Sequence, residues 1–370
     1  MKKIHHVLLR AWQLLLLLAV LSSTTVNAHA QILRVGVAGL NHDHAYGLMQ
    51  QSKRGEVIIL GIAEPNRALV EKYKQRYQLP DSIFYASLPA MLSRIHPDAV
   101  LAYNAIADHL AVVEACAPKG ISVMVEKPLA TTNEQAVRMA ALAAQYKIQL
   151  LTNFETTWYS SNQQLYSIVK KDTALGPVKK MVVHMGHQGP KEIGCSPEFL
   201  AWLTDPVLNG GGAVMDFGCY GANLMTWLMD GQKPVAVTAI TRRIKPALYP
   251  KVDDDATILL EYANGATGII EASWNWPFGI KDWEVFAEKS YLHALNGSSL
   301  QRRDRDSAKY YDLPVPTAAY TSNLVYLADV LHGKIKPGND LSSLENNLIV
   351  VQVLNAAKQS AKEGRRISLP

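Results

Sequence analysis

From residue 32 to residue 125, short and almost wholly apolar segments alternate with runs of helical periodicity. Strands that are apolar on both faces are typical of parallel sheets covered by helices on each side. The alternation therefore predicts an α/β domain with a doubly wound parallel sheet. The predicted strands are 32–39, 57–64, 83–85, 99–103 and 122–125, and the predicted helices lie near 46–51, 67–77, 88–95 and 108–117.

The turn after the first strand is where the pyrophosphate of a dinucleotide would bind, against backbone N–H groups at a helix N-terminus. It reads GLNHDH at 39–44, so only Gly39 remains of the G-x-G-x-x-G fingerprint. Asn41 tolerates the left-handed conformation and can keep the turn. Glu64 ends the second strand, where it can accept hydrogen bonds from an adenosine ribose and would repel a 2′-phosphate. The pattern indicates NAD rather than NADP.

His42 and His44 flank Asp43, and this spacing invites a metal-binding interpretation. A zinc site needs a third and a fourth ligand with hydrogen-bonded support, and none is spaced obviously nearby. Histidines that face a ligand, or that cap and pack the turn, are the other interpretations. We expect no resident metal, and keep a metal-dependent lyase or hydrolase at this pair as an alternative.

The fifth strand ends in Glu126, Lys127 and Pro128. Proline stops a strand and keeps the preceding residue extended. Lys127 is therefore predicted at the carboxyl edge of the sheet, where open parallel sheets bind ligands. A solvated lysine at a strand end is the ordinary alternative, but the alternation upstream favours a functional lysine.

The pattern changes after residue 153. Further strands are predicted at 178–187, 235–243, 256–262, 267–273 and 283–287, and helices at 158–171, 320–331 and 344–362. Hairpin-linked strands predict an α+β domain with a mostly antiparallel open sheet, whose exposed face suits a homo-oligomer, a dimer or a tetramer. We expect a dinucleotide-binding domain over 31–152, a substrate and oligomerisation domain over 153–320, and C-terminal helices over 321–370 that pack back on both.

The first thirty residues predict an export signal. Lys2, Lys3 and Arg10 form a basic start, residues 14–21 are an apolar run too short for a mature membrane span, and AHA at 28–30 is a small-x-small cleavage site. We expect cleavage after Ala30 and a periplasmic or secreted protein without a membrane span. Cleavage would lower the formal charge from +5 to +2, which argues against a nucleic-acid partner.

A second segment with chemistry-bearing residues is NGGGAVMDFGCYGAN at 209–223, which opens a predicted helix that runs to Leu228. Asp216 and Tyr220 are four residues apart and would share one helix face. The three glycines before them let a backbone approach closely. A phenol, a carboxylate and the ammonium of Lys127 can then converge on one substrate hydroxyl.

The Glu126-Lys127-Pro128 motif and the later Asp216-x-Gly218-x-Tyr220 motif, in this order, resemble the Gfo/Idh/MocA oxidoreductase family. The resemblance covers nearly the whole chain after the signal. It implies an N-terminal Rossmann domain, a C-terminal open sheet, and oxidation or reduction of sugars and cyclitols with NAD(P). Many members have His where this chain has Tyr220. The tyrosine form is similar to the glucose-fructose oxidoreductase and dihydrodiol dehydrogenase branch, where it is the proposed acid/base.

The residues and the resemblance together assign a candidate site. Tyr220 is expected to exchange the substrate's hydroxyl proton, Lys127 to lower the pKa of the phenol and polarise the carbonyl, and Asp216 to orient Lys127. The expected cofactor contacts are Gly39, Asn41, His42, Glu64, Asn104, His109, Glu126 and Lys127. The candidate sugar contacts, which can hydrogen-bond or stack on a sugar ring, are His184, His187, Asn223 and Trp276.

Export adds a constraint, because free NAD is scarce outside the cytoplasm. The cofactor would have to be tightly held and recycled in place, for example by oxidising one sugar and reducing another. The expected function is an NAD(P)-dependent sugar or glycoside dehydrogenase acting on CH–OH groups outside the cytoplasm. The rival from another class is a cofactor-free sugar-binding protein in which the turn at 41–44 has lost its dinucleotide.

Overall fold

The computed structural model describes residues 32–369, so the predicted export signal at 1–30 lies outside the described residues. The α-helices are α1 (Ala45–Lys53), α2 (Arg67–Tyr77), α3 (Leu88–Leu92), α4 (His109–Cys116), α5 (Asn133–Tyr146), α6 (Ser160–Lys171), α7 (Pro197–Leu203), α8 (Ala213–Asp216), α9 (Gly218–Leu228), α10 (Asn323–Leu331) and α11 (Leu344–Glu363). The strands are β1 (Leu33–Ala38), β2 (Val57–Ala63), β3 (Phe84–Tyr85), β4 (Ala99–Ala102), β5 (Ser122–Glu126), β6 (Leu150–Asn153), β7 (Val178–Gly186), β8 (Ala236–Arg242), β9 (Asp255–Glu261), β10 (Thr267–Ser273), β11 (Ile280–Ala287), β12 (Ser290–Asn296), β13 (Ser299–Asp304), β14 (Tyr311–Leu313) and β15 (Ile367–Ser368).

Strands β1 to β6 form one parallel sheet in the order β3-β2-β1-β4-β5-β6. Every residue of β5 is buried, as expected for a strand with helices on both faces of its sheet. The strand order reverses between β1 and β4, and open α/β sheets bind ligands at such a point, outside the carboxyl ends of the strands. The turn at 39–44 and Lys127 both lie at this edge. The predicted doubly wound parallel sheet is confirmed.

The later strands form a nine-stranded sheet within residues 32–369, in the order β14-β13-β12-β11-β7-β10-β9-β8-β15. Strands β7 and β10 pair in parallel and the remaining pairs are antiparallel. Burial alternates residue by residue along β9, so one face of the sheet is buried and the other carries half-exposed side chains. The predicted open, mostly antiparallel sheet is confirmed.

The two C-terminal helices contact the earlier parts of the chain. Leu324 and Leu327 of α10 belong to the apolar core beside the parallel sheet. Val351 of α11 also packs into that half, whereas Val350 and Leu354 of the same helix pack into the core of the larger sheet. Helix α11 therefore packs against both cores through neighbouring positions on one helix. Among residues 32–369, no helix is both long enough and apolar enough to cross a membrane.

The helix predicted to open in the segment 209–223 and to run to Leu228 is not continuous, because it is broken at Phe217 into α8 and α9. In an unbroken helix the carbonyl of Asp216 would accept the backbone N–H of Tyr220. Instead that carbonyl accepts from Lys127 Nζ at 2.9 Å and from Cys219 Sγ at 3.2 Å, and the Tyr220 N–H turns to Phe217 O. The break therefore leaves the Asp216 carbonyl free to accept the hydrogen bond from Lys127.

The sequence also gave no signal for α7 or for the strands β12 to β15. Strand β13 reads SLQRRD, and its arginines and aspartate hide the apolar alternation expected of a strand. Charged residues on strands near the edge of a sheet are common because they discourage pairing with other chains. A prediction based on the alternation of apolar residues therefore misses the last strands of this sheet.

Candidate active site

The site is centred on an ion pair between Lys127 and Asp216. Lys127 follows β5 at the carboxyl edge of the parallel sheet, and its Nζ lies 2.5 Å from Asp216 Oδ1. Lys127 is 7 % exposed and Asp216 6 % exposed. Burial alone would raise the pKa of Asp216, but the adjacent ammonium lowers it, so the carboxyl stays ionised. The structure thus brings together the two groups that the sequence predicted as partners.

Trp274 completes this pair, and the sequence analysis missed it. Its indole Nε1 donates to Asp216 Oδ2 at 3.0 Å, so each carboxylate oxygen has its own donor. Trp274 is fully buried.

Trp276, the predicted sugar contact, lies two residues further on, and its backbone N–H donates to His187 O. Trp276 packs over Gly186, where an added Cβ would lie 2.8 Å from its ring. It therefore stays a candidate for the edge of the site.

Tyr220 lies beside the ion pair. Lys127 Nζ is 4.9 Å from its ring centroid, and the rings of Phe154 and Phe217 lie 5.5 and 6.1 Å away. Burial, and next the negative charge of Glu155, raise the pKa of Tyr220 well above its ordinary value. The predicted lowering of this pKa is wrong, because the ammonium of Lys127 does not offset burial and the nearby negative charges. Tyr220 is therefore a phenol, not a phenolate, at neutral pH.

His187 lies on the same side of the larger sheet. Its ring meets Phe217 edge-on at 4.9 Å, and its Nδ1 accepts the backbone N–H of Gly189 at 2.9 Å. Burial lowers its pKa, so the ring is neutral. Because Nδ1 is an acceptor, the proton of the neutral ring is on Nε2. His187 can therefore donate one hydrogen bond to a sugar oxygen.

Two of the predicted sugar contacts are wrong. His184 lies on β7, three residues before His187. The alternation of side chains along the strand puts His184 on the open face of the sheet, where its Nδ1 bonds Asp282 at 2.7 Å. Asn223 points away from Tyr220, and its Nδ2 donates to Leu341 O at 2.8 Å. Every residue of α9 is buried, so an amphipathic pattern could not show which side faces the site.

The predicted phosphate turn has the backbone that close approach needs. Gly39 has a φ of +82°, and an added Cβ would lie 2.8 Å from the Cβ of Asn104. Beside it is a cavity of about 490 Å³ that Gly39, Asn41, Glu64 and Asn104 help to line. The Oδ1 atoms of Asn41 and Asn104 are buried and have no partner among residues 32–369. Ribose hydroxyls can supply the missing donors, so these residues fit a dinucleotide.

Glu64 and His109 have roles that the sequence did not show. The carboxylate of Glu64 accepts the backbone N–H of Leu40 and that of Asn66, each at 2.8 Å, so it holds the turn as well as lining the cavity. His109 is fully buried, and its Nδ1 bonds Leu129 O at 3.1 Å. Burial lowers the pKa of His109 to about 4. His109 therefore supports the segment after Lys127, and because its Nε2 is buried without a partner among residues 32–369, its role as a cofactor contact stays a prediction.

His42, His44 and Glu126 lie closer together than the sequence suggested, with one potential ligand atom from each within 4.8 Å of the others. The sequence analysis thus missed Glu126 as a third group. His42 Nδ1 accepts the backbone N–H of His44 at 3.1 Å, and Glu126 accepts from His44 Nδ1 at 2.9 Å. Metal-bound histidines normally donate through their second nitrogen. His42 accepts instead, so its free nitrogen carries a proton and does not fit a metal ligand.

Helix α7 and the residue before it cover the turn. Trp202 Nε1 donates to Asn41 O at 2.9 Å, and Ser196 N donates to Asp43 Oδ2 at 3.0 Å. The His42 ring lies 4.7 Å from that of Phe199. Burial, and then the positive groups around it, lower the pKa of His42 well below its usual value, so it packs as a neutral ring. A cofactor on this turn would be enclosed by the second half of the chain.

Comparisons with known proteins agree with this architecture. A model of an oxidoreductase family with an NAD-binding Rossmann fold matches residues 32–154, and a model of the GFO/IDH/MocA C-terminal domain matches residues 162–293. The chain is 24 % identical to trans-1,2-dihydrobenzene-1,2-diol dehydrogenase of Sus scrofa over 65 % of this chain and 68 % of that one.

Two solved structures have the same fold. An aldose-aldose oxidoreductase from Caulobacter crescentus, complexed with glycerol, superposes with a TM-score of 0.76 at 22 % identity, over 92 % of this chain and 100 % of that one. An inositol dehydrogenase homolog from Azotobacter vinelandii, complexed with NAD+, gives 0.77 at 17 % identity, over 92 % and 98 %. With both of its halves matched by family models, the chain belongs to the GFO/IDH/MocA family of oxidoreductases with an NAD-binding Rossmann fold.

Proposed function

We propose that the chain is an NAD-dependent oxidoreductase that transfers a hydride between a sugar or glycoside hydroxyl and a tightly bound nicotinamide cofactor. The observation that carries this proposal is the Lys127–Asp216 ion pair beside the Tyr220 phenol, at the carboxyl edge of the parallel sheet. The names of its relatives refer to an aldose, an inositol and a diol, all of which carry neighbouring hydroxyl groups.

The side chains divide the chemistry as follows. Bound nicotinamide supplies the hydride acceptor or donor. Tyr220, protonated at neutral pH, gives its proton to a carbonyl oxygen in the reducing direction and recovers one from a hydroxyl in the oxidising direction. Lys127, held by Asp216, draws electron density from that oxygen. His187 donates its Nε2 proton to a second sugar oxygen, and Trp276 offers an aromatic face to the ring.

We further propose that the cofactor is NAD rather than NADP. Glu64 lines the cavity that adjoins the turn, and a carboxylate at this point repels a 2′-phosphate. The cover formed by α7 supports tight retention, which suits a protein that works outside the cytoplasm. Export through the segment at 1–30 and pairing of two or more copies through the open sheet belong to the same proposal.

Analysis of nucleotides released from the purified protein tests this proposal. Wild-type protein recovered from the periplasm should begin at Gln31 and release close to one NAD(H) per chain on acid denaturation. Gly39→Ala should lose the nucleotide, because its Cβ would displace Asn104 at a φ of +82°. Gly265→Ala is the matched control, with a φ of +83° and no atom within 4 Å of the added Cβ.

Bound NADP instead of NAD would contradict the choice of cofactor. Wild-type protein that is folded but releases no nucleotide, even after incubation with NAD, would contradict the oxidoreductase proposal and favour a sugar-binding protein. Equal nucleotide content in the Gly39→Ala and wild-type proteins would show that the turn is not the binding site.

A further inference from the structure

A second lysine lies against the Tyr220 ring. Lys281 Nζ is 5.5 Å from the ring centroid, compared with 4.9 Å for Lys127. It comes from β11, where Trp283 and Val285 alternate with it on the buried face, so the strand directs it towards α9. Two ammonium groups from different halves of the chain therefore approach one phenol, and the sequence motifs pointed to only one of them.

Lys281 also has its own carboxylate. It forms an ion pair with Glu155, which follows β6 and also accepts a hydrogen bond from the Tyr159 hydroxyl at 2.5 Å. The side chains of Lys281 and Glu155 are 28 % and 44 % exposed, whereas those of Lys127 and Asp216 are each 8 % exposed. The phenol thus lies between a buried ion pair and a partly exposed one.

Glu155, one member of the partly exposed pair, borders open space. Glu155 helps to line a cavity of about 530 Å³ above the ends of β4, β5 and β6, together with His44, Glu126 and Asn153. A ligand in this cavity would contact the Glu155 carboxylate, whereas Tyr220 is buried behind it and does not line the cavity. The buried pair has no such access, so its charges stay fixed while those of the exposed pair can respond to solvent and ligand.

We propose that Glu155 and Lys281 are positioning residues that set how readily Tyr220 gives up its proton. The inference rests on the proposed function, in which the Tyr220 phenolate accepts the proton of a substrate hydroxyl as the hydride leaves the carbon that bears this hydroxyl. The phenol must therefore lose its own proton before oxidation can occur. Lys281 favours the phenolate by Coulomb attraction, and Glu155 opposes it by neutralising Lys281.

The charges around the phenol support these opposite roles. The titratable and charged groups that face Tyr220 are Lys127 and Glu126 from the end of β5, Asp216 and Cys219 from α8 and α9, Glu155 from the end of β6, and Lys281 from β11. Burial comes first among the causes that raise the Tyr220 pKa, and Glu155 is the strongest of the charged groups. Lys281 in turn lowers the pKa of Glu155, against the effect of burial, so the carboxylate is ionised at neutral pH. Substitution of Glu155 or of Lys281 should therefore shift the pKa of Tyr220 in a known direction.

The test is a titration of Tyr220 in protein labelled with ¹³C at the tyrosine ζ carbon, with the resonance assigned by its loss in Tyr220→Phe. Glu155→Gln should lower the pKa of Tyr220 by on the order of one unit, and Lys281→Met should raise it, because one removes a negative and the other a positive neighbour. Glu261→Gln, which breaks the Glu261–Arg366 pair on a distant edge of the sheet, is the matched control and should leave it unchanged.

The pH dependence of turnover gives a second readout. The limb of the pH–rate profile that reports the titration of Tyr220 should move to lower pH in Glu155→Gln and to higher pH in Lys281→Met. A Tyr220 resonance or limb that stays at the wild-type position in Glu155→Gln, up to the pH at which the fold is lost, would overturn the inference. So would shifts of the same sign in both variants. Shifted titrations in a protein without any turnover would support the inference while refuting the proposed function.

Discussion

Tyr220→Phe should lower kcat by about 10²–10⁴-fold, which is the usual contribution of a general acid or base. The substitution removes only the hydroxyl and leaves the ring that packs on Phe154 and lies under Lys127. The fold, the bound nucleotide and the KM for the sugar should therefore stay close to their wild-type values. Steady-state turnover, with thermal unfolding measured on the same preparation, checks this expectation.

Tyr262→Phe is the matched control for this change. Tyr262 is also buried, at 4 % exposure, and its hydroxyl has no partner among residues 32–369, but it lies in the core of the larger sheet away from the ion pair. Its turnover should equal that of wild type. Full turnover in Tyr220→Phe, or an equal loss in both variants, would remove Tyr220 from the acid/base role.

Lys127→Met should destabilise the fold by about 3–5 kcal/mol, because it leaves the charge of Asp216 buried without a partner. The double variant Lys127→Met with Asp216→Asn should recover most of this loss, since neither charge then remains. Both variants should lack turnover, because Lys127 no longer polarises the substrate oxygen. Urea unfolding and steady-state kinetics measure the two effects separately.

The ion pair also predicts how stability depends on pH. Its carboxyl has a pKa below the unfolded value, so the stabilisation from Asp216 is present above that unfolded value and is lost as the pH falls through the folded one. The pKa of Lys127 is raised by Asp216, against the effect of burial, so its contribution is present below the unfolded value and lost as the pH rises through the folded one. The difference in stability between wild type and the double variant should therefore be largest at neutral pH.

Lys358→Met controls for the loss of a half-buried lysine that forms no ion pair with a carboxylate among residues 32–369. Its Nζ donates to the carbonyls of Thr131 and Gly210, at 3.2 and 3.0 Å, and an unpaired carbonyl costs less than an unpaired buried charge. It should keep turnover and lose less stability than Lys127→Met. A Lys127→Met protein as stable as wild type, or an active double variant, would contradict the assigned roles.

The sequence was sufficient for the elements whose signals are local. Apolar strands alternating with helices indicated the parallel sheet. Pro128 indicated where strand β5 ends, and therefore that Lys127 lies at the edge of that sheet. The spacing of Asp216 and Tyr220 placed both beside Lys127, even though the predicted helix between them is broken. Each of these signals is contained within a few neighbouring residues, so no knowledge of the tertiary packing was needed to find them.

The rest of the site depends on contacts between distant residues. Trp274 and Asp216 are 58 positions apart, and Glu155 and Lys281 are 126 apart, so no spacing pattern links them. The prediction of His184 as a sugar contact was wrong because side chains alternate between the two faces of β7, and this alternation puts His184 on the open face. Glu64 shows a different limit, because its carboxylate holds Leu40 N, a backbone contact that the sequence cannot reveal.

The central claim is that this chain itself carries a nicotinamide cofactor that exchanges hydride with a sugar at Tyr220 and Lys127. The most direct measurement is the near-ultraviolet absorbance of purified wild-type protein on addition of neutral aldoses and glycosides, with no cofactor added. We expect the band of reduced nicotinamide to rise to about one equivalent per chain with at least one sugar, and to rise far more slowly in Tyr220→Phe. A folded, nucleotide-bearing protein that shows no band with any sugar, or the same rate in Tyr220→Phe, would contradict it.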